Sequence, residues 1–226
     1  MSEHQDKKSL KLENFKWEEI KLQDQPPEYY AILKEFVDQL FKLKGIILLD
    51  GVYLGCSILN RYLQTLPEFP QKGNQLRKIT YVSFLLAYKW VDSNTSITEY
   101  LDELLDHTLF RQVDIKTYFC KEQFKILQAL DFQVETVTPG HYLEFFEPTH
   151  NSEMESLFKQ QYYSGLYNPD YIQFYPSQYC AIMYYFSYFQ TFHKEYQGQL
   201  LGYPASLVRK WINQIKPRYP EIIEID

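Results

Sequence analysis

The sequence predicts an all-α protein made of two consecutive helical units. The chain has 226 residues, of which 45% are hydrophobic and 18% aromatic, enough apolar material for two small cores. Its 21 Tyr and 16 Phe outnumber its 8 Gly and 11 Pro, a composition that favours long packed elements over turn-rich sheets. Apolar residues also recur three and four positions apart along most of the chain, the spacing of one helix face.

The first unit is predicted to follow a polar extension that ends at a Pro-Pro pair, where a helix can begin. The third predicted helix is apolar on nearly every face, as expected of a helix surrounded by others. The fifth carries Phe119, Cys120, Phe124, Leu127 and Leu130, which we assign to one face. The extension covers residues 1–27 and the unit residues 28–137, with helices predicted over 28–45, 48–63, 76–91, 97–109 and 115–130.

The second unit, residues 138–226, is predicted to begin at the turn signal Thr138-Pro139-Gly140. Helical stretches are predicted over 141–146, 152–167, 176–192 and 205–215. The central helix of each unit carries a Ser and an Ala inside an aromatic run. That likeness suggests a repeat of one helical unit.

Composition argues against several classes of partner. The formal net charge is −6 and no dense Lys/Arg cluster occurs, so we expect no direct contact with nucleic acid. The longest apolar runs are far shorter than the roughly 20 residues that span a bilayer, so we expect no membrane helix. The three Cys are too scattered to predict a disulfide framework. The polar N-terminus predicts a location in the nucleus, the cytoplasm or both.

Catalytic chemistry is not predicted either. The five His lack the spacing of metal ligands, and no glycine-rich phosphate loop or nucleophile motif occurs. Four carboxylates share one face of the predicted fourth helix, where a solvated acidic face is a commoner outcome than a cation site. We expect no catalytic residue, metal or cofactor. The four carboxylates on the predicted fourth helix are Glu99, Asp102, Glu103 and Asp106.

Lys89 is the most informative single residue, because it lies near the end of the apolar third helix. An ammonium group there must find a partner or extend to solvent. One interpretation is a lysine that reaches solvent from the helix end. The other is a lysine paired with a partner protein or with Glu122 or Gln123 of the fifth helix.

Five segments resemble the cyclin family. FLLAYKWVD (84–92) resembles the cyclin L-L-A-x-K-[FY]-E-E segment, and FKILQALDF (124–132) is similar to the segment after the second interface residue of that family. SILNRYL (57–63) resembles Y-I-D-R-F-L, FYPSQYCA (174–181) resembles the R-P-S-x-x-A-A of the second repeat, and LGY (201–203) resembles T-G-Y. The resemblance runs from about Tyr29 to Ile215 with the order of predicted helices preserved.

This resemblance implies two consecutive five-helix cyclin-like repeats, an N-terminal cyclin box at 28–137 and a C-terminal repeat at 138–226. As a divergent member, the chain resembles S-phase and mitotic cyclins. The implied function is the activating subunit of a cyclin-dependent serine/threonine protein kinase in cell-cycle control. A kinase-independent scaffold or a transcription-related adaptor with the same fold is the alternative.

The family also implies two binding sites. Its kinase-contacting lysine matches Lys89, and its interface glutamate falls on Gln123, with Glu122 one position earlier and about 100° away around the helix. Leu127 and Phe132 would be apolar kinase contacts, or else ordinary core residues.

The second implied site is the substrate-docking motif in the first helix of cyclins, through which kinase substrates would bind. The matching segment of this chain differs from that motif. Its arginine, and the aspartate that pairs with it, are here Tyr30 and Asn60. Loss of both charges avoids leaving one of them buried and unpaired. The apolar docking patch itself would consist of Tyr29, Ile32, Leu33 and Phe36.

Overall fold

The protein is mostly helical and forms two compact units, one from Leu22 to Thr136 and one from Val137 onward that also includes Lys21. The computed structural model describes residues 21–42, 49–70, 72–91, 110, 114–146, 152–166 and 168–215. Within these ranges the all-α prediction is confirmed, apart from one two-stranded ribbon. Among the described helices, none combines the length and apolar character that a membrane span needs.

The first unit contains four described helices. The predicted third helix begins three residues earlier than expected, at Gly73, and the predicted helix 97–109, with its acidic face, lies outside the described residues. The helices are α1 (Pro27–Lys42), α2 (Leu49–Thr65), α3 (Gly73–Val91) and α4 (Ile115–Ala129).

Helix α3 is the centre of this unit, as its apolar sequence predicts. From Thr80 to Tyr88 every residue is buried except the half-buried Leu85, and α3 packs against α1, α2 and α4. Phe36 of α1 lies 4.9 Å from Tyr81 and 4.6 Å from Phe84 between ring centroids. These aromatic contacts fix α1 against α3.

Two glycines let α2 approach α3 closely. A Cβ atom placed on Gly55 would lie 2.8 Å from the Phe84 ring, and one on Gly51 would lie 2.9 Å from the Tyr88 ring. Both distances are too short for van der Waals contact, so only glycine fits against these rings. The two positions are four residues apart and therefore share one face of α2.

The second unit also centres on one helix. It comprises a 3₁₀ helix (Pro139–Phe145), α5 (Ser152–Leu166), α6 (Pro169–Ile172), α7 (Pro176–Phe192), β1 (Gln199–Leu200), β2 (Tyr203–Pro204) and α8 (Ala205–Ile215). Most of α7 is buried, and it packs against α5, α8 and the 3₁₀ helix. Its bounds and those of α8 match the prediction.

Three local features of this unit differ from the prediction. The stretch predicted at 141–146 is a 3₁₀ helix over Pro139–Phe145, and α6 and the ribbon were not predicted. The ribbon turns at Leu201 and Gly202, whose φ angles are 52° and 83°. Positive φ at both central residues is the geometry that joins two strands through a two-residue turn. Strands of two residues are too short to give a periodic signal in the sequence.

The close approach of α2 and α3 predicts opposite effects for one substitution at two sites. Gly55→Ala is expected to lower the free energy of unfolding by about 1–3 kcal/mol, because its methyl group overlaps Phe84. Gly73→Ala, at the open start of α3 with no atom within 4 Å, is the matched control. It is expected to raise that free energy by about 0.5–1 kcal/mol. Urea denaturation measures the free energy of unfolding of both variants. Equal stabilisation by the two substitutions would contradict the close approach of α2 and α3.

Candidate functional site

Lys89 and Gln123 meet where the end of α3 packs against α4. The Lys89 ammonium donates a hydrogen bond to the Gln123 side-chain oxygen, with Nζ and Oε1 3.4 Å apart. Lys89 is exposed, whereas Gln123 is only 9% exposed. Lys89 is therefore exposed at the end of α3 and also contacts α4.

Gln123 is a neutral partner for this charge. An amide oxygen accepts a hydrogen bond from an ammonium group but brings no opposite charge to it. The Gln123 Nε2 atom is buried with no hydrogen-bond partner among the described residues, a state that costs about 1–3 kcal/mol.

Glu122 is directed elsewhere. Its carboxylate forms an ion pair with Lys125, with Oε1 and Nζ 2.6 Å apart. Burial, together with the charge of Glu122, raises the pKa of Tyr118 to about 12 and also raises the pKa of Tyr62. Of the two candidates on α4, the structure thus brings Gln123 and not Glu122 to Lys89.

Large hydrophobic side chains are exposed beside this contact. Trp90, next to Lys89, is 50% exposed, and Phe124, next to Gln123, is 52% exposed. Phe132 is 58% exposed and its ring centroid lies 6.2 Å from that of Phe124. We call Trp90, Phe124 and Phe132 the exposed aromatic set. The neighbouring exposed rings of Phe124 and Phe132 indicate an interaction surface.

Phe124 corrects our assignment of the α4 face, and Cys120 is likewise exposed. The buried stripe of α4 consists of Phe119, Gln123, Ile126 and Leu130, which recur at helical spacing. Phe124 lies about 140° around the helix from Phe119, on the outer side. Counting the exact spacings between the apolar residues would have assigned Phe119 and Phe124 to different faces. Because Gln123 is polar, the sequence did not indicate that it belongs to the buried stripe.

Phe132 is held in place by an unusual turn after α4. Asp131 and Phe132 have φ angles of 49° and 59°, a left-handed conformation that costs a non-glycine residue roughly 1–2 kcal/mol. The Phe132 backbone N–H donates to the Leu127 carbonyl at 2.7 Å, and Arg61 of α2 donates to the Gln133 carbonyl. These bonds stabilise the turn and keep the Phe132 ring exposed. Leu127 itself is half-buried.

The predicted substrate-docking patch lies in the core of the first unit. All four of its side chains pack inward from α1, and their docking role stays a prediction. Their exposed fractions are 1% for Tyr29, 9% for Ile32, 0% for Leu33 and 3% for Phe36.

Tyr30 and Asn60, which replace the charged pair of the cyclin pattern, both bind the segment 22–25, which we call the N-terminal strap. Asn60 is fully buried; its Oδ1 accepts from the Gln23 N–H at 3.0 Å, and its Nδ2 donates to the Gln23 carbonyl at 2.7 Å. The Tyr30 hydroxyl donates to Asp24 Oδ1 at 2.6 Å. The polar groups at these two positions are therefore satisfied without a charge pair.

No known family model and no curated protein matches the chain. The likeness to cyclins thus rests on the sequence segments given above. Within the described ranges, no group of three or more His, Cys, Asp or Glu side chains is arranged to hold a metal ion.

Glu122 predicts a measurable change in a tyrosine pKa. Glu122→Gln is expected to lower the pKa of Tyr118 from about 12, because removal of the carboxylate charge makes the phenolate less unfavourable. NMR of ring-labelled tyrosine measures this pKa, and Tyr118→Phe assigns the signal. Glu155→Gln, which breaks an ion pair with Lys159 in the second unit, is the control.

The sign of the effect on stability follows from the raised pKa. Tyr118 keeps its proton longer in the folded than in the unfolded chain, so its contribution to stability is complete below the ordinary pKa of 10.0. That contribution is lost as the pH rises toward 12. An unchanged Tyr118 pKa in Glu122→Gln would mean that burial alone raises it.

Proposed function

We propose that this chain is the activating subunit of a cyclin-dependent serine/threonine protein kinase. The observation that carries the proposal is the contact of exposed Lys89 with Gln123, with Nζ and Oε1 3.4 Å apart, beside Trp90 and Phe124. The cyclin resemblance assigns both of the contacting positions to the kinase interface. Exposed aromatic side chains beside a lysine match the composition of protein interfaces, in which aromatic residues are enriched.

The proposal includes the finer architecture. Helices α1 to α4 would be the first, second, third and fifth helices of an N-terminal cyclin box at 28–137, and the remainder a C-terminal repeat at 138–226. The mostly buried α3 and α7, each central to its own unit, support this repeat. Such a protein would act where its kinase is, in the nucleus, the cytoplasm or both.

Activation would be a shift of population in the kinase. The C-terminal half of α3, together with α4 and the Phe132 turn, would pack against the mobile regulatory helix of the kinase. This contact favours the active arrangement only if the chain binds that arrangement more tightly, by several kcal/mol. In the active kinase a lysine and a glutamate meet and magnesium is held for phosphoryl transfer. The chain would hold the regulatory helix of the kinase in position and would supply no reactive group.

The chemistry of Lys89 indicates what its partner presents. An ammonium group that its neighbour does not neutralise favours a carboxylate or the carbonyls at the C-terminal end of a helix. The exposed aromatic set would bury its rings around that polar contact. Aromatic rings surrounding a desolvated polar pair are typical of interface residues that dominate affinity.

The neutral Gln123 favours a second candidate, a kinase-independent scaffold or a transcription-related adaptor. Where the cyclin pattern has a glutamate, this chain has an amide, and the neighbouring Glu122 is bound to Lys125. A cyclin fold that no longer binds a kinase would not need the glutamate. Absence of any co-purifying kinase distinguishes this function from the first.

Affinity purification of the tagged chain from its own cells tests the proposal. We expect a cyclin-dependent kinase to co-purify with the wild type, and Lys89→Ala or Phe132→Ala to reduce its recovery by about tenfold, because each removes a central contact. Phe192→Ala, which truncates an exposed aromatic residue of the second unit, is the matched control and should retain the kinase.

Reconstitution completes this experiment. The purified wild-type chain should raise the activity of the recovered kinase toward a peptide substrate, and Lys89→Ala should do so only at higher concentration. Recovery of no kinase by the wild type under gentle conditions would reject the activator function. Equal losses in Phe192→Ala and Phe132→Ala would reject the assigned interface while leaving kinase binding in place.

A further inference from the structure

The N-terminal strap is bound to the first unit like a short extended peptide. Gln23 makes both of its backbone hydrogen bonds to one side chain, the Asn60 amide, at 3.0 and 2.7 Å. The Gln23 side chain is exposed, so the site recognises Gln23 through its main chain alone. A paired amide contact of this kind accepts any non-proline residue at that position.

The residues on either side of Gln23 are recognised by their side chains. Leu22 is 6% exposed, so its apolar side chain is buried when the strap is bound. Asp24 accepts a hydrogen bond from the Tyr30 hydroxyl at 2.6 Å, and the Gln25 N–H contacts the same hydroxyl at 3.2 Å. The site thus recognises the strap as an extended Leu-x-Asp sequence.

The groups that hold the strap are organised by helices α1 and α2. The Gln64 Nε2 donates to Asn60 Oδ1 at 2.6 Å, from one turn further along α2. Tyr30 packs edge-on against Tyr29 with ring centroids 5.1 Å apart, and Tyr29 is buried. These contacts do not involve the strap, so they hold Asn60 and Tyr30 independently of it.

We propose that Asn60, Gln64 and Tyr30 form a binding site for an extended Leu-x-Asp peptide, which the chain's own residues Leu22–Gln25 occupy as a tethered, exchangeable ligand. The same segment in a free peptide occupies the site once the tethered copy is displaced. This site is separate from the Lys89–Gln123 contact, so the proposal holds whatever the chain binds there.

A full-length variant with a weakened strap tests the proposal. Leu22→Asp combined with Asp24→Lys removes the apolar and acidic groups that the site reads. We expect this variant to bind a fluorescent peptide of wild-type sequence, residues 19–28, at least about tenfold more tightly than the wild-type chain does, because the tethered ligand competes at high effective concentration. Fluorescence anisotropy measures the affinity.

Two controls define the site. A peptide carrying the same two substitutions should not bind. Tyr30→Phe, added to the strap variant, keeps the ring and removes only the hydroxyl, and should weaken binding of the wild-type peptide several-fold. A folded strap variant that binds neither peptide, or both equally, would overturn the proposal.

Amide hydrogen exchange of the unaltered chain tests exchangeability without relying on a variant. The Gln23 amide should exchange more slowly than an unprotected amide but at least about tenfold faster than Leu59 in the core of α2, because the strap opens without global unfolding. Exchange of Gln23 at the rate of Leu59 would show that the strap is a fixed part of the core, and would overturn the proposal.

Discussion

The close approach of α2 and α3 is the contact on which the first unit depends. Gly51 and Gly55 leave room for the rings of Tyr88 and Phe84, and α3 in turn receives α1 and α4 on its other faces. With α3 held in this position, Lys89 lies at the end of the helix, exposed and in reach of α4. The position of the candidate site is therefore a consequence of packing some distance away from it.

Neutral amides occupy two positions where the cyclin pattern has carboxylates. Asn60 is fully buried and bonds to the strap main chain, which satisfies its amide without any charge to desolvate. Gln123 is nearly buried and accepts from Lys89 without neutralising its charge. In both cases a neutral amide provides hydrogen bonds without adding a charge that would have to be desolvated.

Elements with strong periodicity or clear boundaries could be predicted closely. Pro176 opens α7 at its first helical position, where a missing N–H costs nothing, and the apolar character of α3 predicted its burial. The short elements were predicted less well: a helical stretch was expected over 141–146, where the structure has a 3₁₀ helix, whereas α6 and the ribbon were not expected. The 3₁₀ helix, α6 and the ribbon are too short for a periodic pattern, and the turn at Leu201 uses a conformation that leucine seldom adopts.

The sequence by itself determined the helical class, the central place of α3 and α7 and the segments that resemble a cyclin, because these depend on local periodicity and residue type. The tertiary structure alone decided which apolar residues are exposed. Phe119 is buried and Phe124 exposed on one helix, and the predicted docking residues of α1 lie in the core while Tyr30 binds the strap. Burial depends on which helix packs on each face, and that information lies in distant parts of the chain.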